Sequence, residues 1–182
     1  MNEGMTKAFD TKPSLLSVIF PKVDESFLYK LIIVVAGTGL LTMSAKVQVP
    51  FYPVPMTMQT LVVLVIGIVS GWKLGGATVF LYLLEGAVGL PVFAGTPEKG
   101  IGIAYIIGPT GGYLLGFLFS SIVVGYLSER GFDRTFSFTL MTMFIGTFII
   151  FIFGFTWLSH IVGIEKAYYF GVAPFILSEV FK

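Results

Sequence analysis

The sequence predicts an all-α integral membrane protein with five full transmembrane helices and a short sixth apolar segment. Three observations carry that expectation. Of 182 residues, 55% are hydrophobic and 12% charged, against roughly 25% charged in soluble domains; mean hydropathy is +0.92. Apolar runs of membrane-crossing length recur between short polar or Pro/Gly-rich breaks. Small residues repeat at four-residue spacing, the pattern of closely packed membrane helices. The same composition narrows the function. A net charge of +1 gives no support for nucleic acid as a partner. With no cysteine, disulfides, thiolate metal sites and cysteine nucleophiles are excluded, and a single histidine, His160, does not make a metal site.

Residues 1–27 read as a cytoplasmic tail. Lys7, Asp10, Lys12, Lys22, Asp24 and Glu25 surround a short apolar patch, LLSVIF, with no small-residue cleavage site after it, which argues against a signal peptide. Span one is predicted over Leu28–Ala45, with Lys30 near enough to its end to snorkel. Residues 46–59, KVQVPFYPVPMTMQ, carry Pro50, Pro53 and Pro55, which forbid a regular helix. Either they are a plain connector, or an extended stretch folded back over the bundle, as Val49, Phe51, Tyr52 and Val54 suggest.

Spans two and three are predicted over Met56–Trp72 and Leu74–Leu90, each close to the roughly 17-residue minimum for crossing. Gly67, Gly71 and Gly75 repeat the small-residue spacing. Glu85 lies inside span three; an intramembrane carboxylate reads as functional or as a partly hydrated structural group. A charged, Gly-rich loop, Gly95-Thr96-Pro97-Glu98-Lys99-Gly100, follows. Span four is predicted over Ile101–Leu127 and contains the turn Gly108-Pro109-Thr110-Gly111-Gly112. Pro109 suits a first helical turn. The free N–H groups of Thr110, Gly111 and Gly112 then form a positive pole that either receives an anion or merely caps the helix. Gly108, Gly112, Gly116 and Ser120 share one face, suited to a tight crossing.

Span five, Phe136–Leu158, carries no charge, and Trp157 and His160 mark its interfacial end. In the tail, Glu165–Lys182, the apolar part is Ala167–Val180. At 1.5 Å per residue this is about 20 Å, short of a core of about 30 Å. The expectation is therefore a sixth segment that begins to cross and does not finish. With the N-terminus inside, Lys7, Lys12, Lys22, Lys30, Lys73, Arg130 and Arg134 lie on the inner side. Only Lys46, Lys99, Lys166 and Lys182 lie outside, the bias expected of a cytoplasmic N-terminus. The proline-rich stretch, the Gly-rich loop and the tail then converge on the outer face, where a ligand site is expected.

Four runs, in order, resemble the BioY family, the biotin-binding S components of energy-coupling factor (ECF) transporters. They are Val49-Pro50-Phe51-Tyr52-Pro53-Val54-Pro55-Met56-Thr57-Met58-Gln59-Thr60, Gly89-Leu90-Pro91-Val92-Phe93-Ala94-Gly95, Gly108-Pro109-Thr110-Gly111-Gly112-Tyr113 and Gly171-Val172-Ala173-Pro174-Phe175-Ile176, ahead of Lys182. The resemblance covers about 28–182, read as one membrane domain. It implies a six-helix bundle in the cytoplasmic membrane with an outward-facing vitamin site. It implies biotin as transported ligand, no cofactor, and work alone or with a transmembrane coupling protein and a pair of ATPases. The family's last motif reads Pro-Gly-Asp-x-x-Lys, whereas here Leu177-Ser178-Glu179 precedes Lys182 by the same spacing. The family continues into an apolar sixth helix, so the expectation is a truncated sixth helix here.

Biotin offers an apolar bicycle, a ureido group and a carboxylate. Phe93, Tyr113, Phe51 and Tyr52 are the expected apolar wall. The resemblance points to Glu179 and Lys182: Glu179 to accept from the ureido N–H groups, Lys182 to pair with the carboxylate. Three apart on a helix, the two could equally be a plain tail ion pair. Thr57, Gln59 and Thr60 either bond the ligand or cap span two. Thr110, Gly111 and Gly112 complete the expected binding set. No catalytic constellation is present, since Glu85 and Glu179 have no His, Cys or acidic cluster beside them in the spans. The competing readings are an S component for another small vitamin and a truncated, inactive membrane protein.

Overall fold

The computed structural model describes residues 13–49 and 52–182. Two short helices, α1 (Leu15–Ile19) and α2 (Lys22–Glu25), precede α3 (Phe27–Lys46), which is span one almost as expected. Its buried face, Val34, Gly37, Thr38, Leu41, Ser44 and Ala45, follows the three-to-four-residue period of a helix packed on one side.

The proline-rich stretch is folded back. Strand β1 (Gln48–Val49) pairs antiparallel with β2 (Met56–Thr57), matching Gln48 with Thr57 and Val49 with Met56. Prolines cannot donate to a ladder, so pairing is confined to the flanks of the proline run. Between the strands Val54 is buried and Tyr52 is 83% exposed; Pro50 and Phe51 lie outside the described residues.

Helix α4 (Gln59–Ala87) is two antiparallel arms. Gly71 breaks it with φ 74° and ψ 176°. Gln59 Nε2 lies 2.7 Å from Tyr82 Oη, 23 residues on, where an unbroken helix would separate them by about 34 Å. Gly75 faces Gly67 across the reversal, close enough that an added Cβ would sit 3.1 Å from the Gly67 Cα. The arms, 59–70 and 72–87, take the places expected for spans two and three. They are shorter, because Met56 and Thr57 are in a strand and residues 88–90 are in a turn. Glu129 closes the reversal: its Oε1 accepts from the Trp72 N–H at 3.3 Å, a carboxylate at a helix N-terminus.

Span four is not continuous. Helix α5 (Ile103–Ile107) ends at Gly108, whose ψ of −174° is extended, as the residue before a proline prefers. Helix α6 (Gly111–Leu127) then runs through the centre of the bundle and continues into a π-helical turn, Ser128–Phe132. The small-residue stripe does set a close crossing: an added Cβ at Gly112 meets Trp157 and the Phe153 carbonyl, and one at Gly116 meets the Ile150 backbone. Those partners lie on α7 (Phe136–Val162), longer than the expected span five and the least enclosed of the long helices. The tail breaks at Val172 into α8 (Ile164–Gly171) and α9 (Ala173–Phe181), with Pro174 in the first turn of α9.

Among the described residues, four helices are long and apolar enough to cross a membrane: Phe27–Lys46, Gln59–Ala87, Gly111–Phe132 and Phe136–Val162. The chain alternates between two ends. The N-terminal helices, the Gly71 reversal and Glu129 gather at one. The β-ribbon, the 88–110 segment, α8 and α9 gather at the other, above a core that includes Leu41, Val63, Val79, Tyr82, Phe93, Ile150 and Leu158.

Candidate functional site

A small cavity, partly open to solvent, lies at this second end. Its walls are aromatic and aliphatic. Tyr105 comes from α5, Tyr113 and Phe117 from α6, Phe151 from α7 and Phe175 from α9; Val54 and Pro55 of the ribbon add to them. Tyr113 stacks on Phe175 at 6.4 Å and meets Phe151 edge-on at 6.2 Å. Its hydroxyl donates to the Gly171 carbonyl at 2.7 Å, so the break between α8 and α9 is tied to the central helix. The Tyr105 hydroxyl likewise donates to the Ala94 carbonyl at 2.6 Å. Each buried phenol thus has the partner that burial demands.

The polar part of the wall is a closed triangle. Lys182 Nζ donates to Glu179 Oε1 at 2.6 Å and to Thr60 Oγ1 at 2.7 Å, while the Thr60 hydroxyl donates to Glu179 Oε1 at 3.0 Å. The side chains of Lys182 and Glu179 are only 11% and 10% exposed. Among the described residues, these bonds leave one ammonium hydrogen of Lys182 and Oε2 of Glu179 uncommitted. Gln59, one residue before Thr60, is 4% exposed and lines the same cavity with Thr57. Thr57 also caps the helix, its hydroxyl accepting from the Gln59 N–H at 3.2 Å. The capping contact is thus made by a residue that also lines the cavity.

Of the expected site residues, Gln59, Thr110, Tyr113, Glu179 and Lys182 come together on the cavity. Phe93 stands one layer behind, stacked on Tyr105 at 4.9 Å and edge-on to Tyr82 at 5.4 Å; it backs the wall without lining it. Tyr52 points to the outside, and Phe51 lies outside the described residues. Gly111 and Gly112 are not on the cavity. The Gly111 N–H donates to the Gly108 carbonyl at 3.0 Å, and Gly112 faces α7. The glycines of the GPTGG turn thus make turn and crossing contacts while Thr110 faces the cavity, with Trp157 Nε1 donating to the Gly108 carbonyl at 2.9 Å. Glu85 is structural here: Thr38 Oγ1 donates to its Oε1 at 3.0 Å, joining α3 to the second arm of α4.

Sequence reasoning missed Tyr82, Tyr105 and Lys46. Tyr82 and Tyr105 stand in apolar runs where a phenol must find a buried partner, and that was their only signal. Lys46 Nζ donates to the carbonyls of Phe93 and Thr96 and to Thr96 Oγ1 at 3.0–3.3 Å. It pins the segment that brings Ala94 to the cavity, a role its place at the end of α3 does not announce.

An apolar cavity with a small polar cluster, open at one end of a membrane bundle, defines a membrane-embedded small-molecule binding protein. The fold is shared with a solved S-component for biotin from an ECF-type ABC transporter: TM-score 0.71, 24% identity, covering 84% of this chain and 83% of that one. A sequence model of the BioY family matches residues 13–182, and the chain belongs to that family. Relatives include the probable biotin transporter BioY of Pyrococcus horikoshii, 38% identical over 79% of this chain and 83% of its own length. The biotin transporter BioY of Rhizobium etli is 37% identical over 82% of this chain and 81% of its own.

Proposed function

We propose that this protein binds biotin and carries it into the cell as the S component of an ECF-type transporter, with no catalytic step of its own. The observation that supports this most directly is the Thr60–Glu179–Lys182 triangle set into an aromatic cavity. A ureido group has a carbonyl that accepts and N–H groups that donate. The free hydrogen of Lys182 suits the first and Glu179 Oε2 the second. Because Glu179 and Lys182 are 2.6 Å apart, both serve the same end of the ligand. On this reading Lys182 serves the ureido group rather than the carboxylate. Tyr113, Phe175 and Tyr105 pack the bicycle, and Thr110 and Gln59 complete the polar contacts.

The domain is 28–182, preceded by the N-terminal tail, in the cytoplasmic membrane. The two arms of α4 count as two crossings, five in all, and α8 with α9 forms the short sixth segment. The Lys/Arg distribution supports a cytoplasmic N-terminus and an outward-facing cavity. A coupling protein and an ATPase pair supply the energy. The test is equilibrium binding of radiolabelled biotin to the purified chain, with a panel of other vitamins as competitors. Saturable binding displaced by biotin alone, and lost in Lys182→Ala, is the expected result. A folded chain with no saturable binding overturns the reading.

A further inference from the structure

We propose that Tyr82, which does not line the cavity, is a positioning residue that sets Gln59 as a hydrogen-bond acceptor toward the ligand. The direction follows from donors and acceptors alone. The Val92 carbonyl can only accept. Tyr82 Oη lies 2.9 Å from it and spends its one hydrogen there. At its other contact Tyr82 Oη can then only accept, from the Gln59 group 2.7 Å away. That group must be the amide nitrogen, so the sense of the Gln59 amide is fixed by the network rather than by a choice between two similar atoms.

The remaining end of the amide, Oε1, accepts a long hydrogen bond from the Thr57 hydroxyl at 3.4 Å, which leaves its second lone pair for the ligand, and Thr57 and Gln59 both line the cavity. Tyr82 is fully buried, 0% exposed, and held by Phe93 edge-on. The bridge also joins the two arms of α4 to the segment ending in Ala94. The ligand class this selects carries an N–H donor facing Gln59. Resting on the biotin reading, that donor is a ureido N–H, and Gln59 and Glu179 are acceptors for a group with donors on both sides of its carbonyl.

The test uses the full chain in detergent, with biotin and an analogue methylated on one ureido nitrogen. Four proteins are compared: wild type, Tyr82→Phe, Gln59→Met and the double variant. Tyr82→Phe keeps the ring against Phe93 and frees the amide to turn. Expected are about tenfold weaker biotin binding, a biotin-to-analogue affinity ratio that moves toward one, and no further change on adding Tyr82→Phe to Gln59→Met. An unchanged ratio, or an equal loss in both backgrounds, overturns the proposal. A readout without ligand runs alongside. The chain has only two glutamines, Gln48 and Gln59, so glutamine-labelled protein gives assignable side-chain amide signals. The Gln59 amide proton donated to Tyr82 is expected to be shifted downfield of the ordinary glutamine side-chain position in wild type and to return to it in Tyr82→Phe. If wild type binds no biotin, the ligand reading fails and this signal decides the positioning alone. Loss of that shift in Tyr82→Phe upholds it and its persistence overturns it.

Discussion

Lys182 and Glu179 do two jobs. They tie α9 to the first arm of α4 through Thr60, and they face the cavity. The two roles separate on mutation. Glu179→Gln leaves the Lys182 ammonium without its charge partner in a mostly enclosed site, an arrangement that costs about 3 kcal/mol; thermal unfolding in detergent reads it as a lower midpoint. Replacing both residues by leucine removes the pair together, so much of that stability is expected to return, while biotin binding stays abolished. A double variant that binds biotin as tightly as wild type sinks the ligand role of the pair. The motif order and the Glu-x-x-Lys spacing made these residues visible in the sequence. Their direct pairing was not visible, because three-residue spacing places two side chains on one face without saying how closely their tips meet. Thr60, which sets that closeness, is 119 residues from Glu179.

At the scale of elements, glycine decides where the helices bend and where they touch. Gly71 reverses α4 at positive φ, and an added Cβ would strike the Glu129 carboxylate. Gly71→Ala is expected to lose roughly 1–3 kcal/mol from the backbone alone, plus the displaced cap on Trp72. Gly112→Ala pushes α6 from α7 at the Phe153 carbonyl and is expected to cost stability while sparing the identity of the ligand. A Gly112→Ala protein that discriminated biotin from other vitamins differently would return Gly111 and Gly112 to the binding set. The apolar runs marked these elements clearly. Their ends were less legible: span four hid a break at Gly108, since the run stays apolar through Pro109, and span two hid a strand at Met56-Thr57. Local hydropathy does not distinguish a buried ribbon from the first turn of a buried helix.

Over the whole molecule, the alternation of elements puts the N-terminal helices and the cavity at opposite ends. With the N-terminus cytoplasmic, a cysteine placed at Lys22 reacts with membrane-permeant reagents only, and one at Lys99 reacts with impermeant reagents in intact cells. The absence of native cysteines makes that labelling clean, and the reverse pattern refutes an outward-facing site. Bound biotin is also expected to stabilise the chain as a ligand specific to the folded state, by about 2.7 kcal/mol at a hundredfold excess over Kd, seen as a higher unfolding midpoint.

The reversal at Gly71 has a consequence for the surrounding lipid. At 1.5 Å per residue the arms 59–70 and 72–87 span roughly 18 and 24 Å, against a hydrocarbon core of about 30 Å. Helix α7, by contrast, is 27 residues long, about 40 Å. Val65, Phe80 and Leu84 on the arms are exposed, so lipid meets a short apolar surface on that flank and a long one along α7. The bilayer must thin beside one and thicken, or let the helix lean, beside the other. Bilayer thickness thereby becomes a variable of this protein's stability. In vesicles of graded acyl-chain length the unfolding midpoint is expected to peak at chains shorter than those that best match α7.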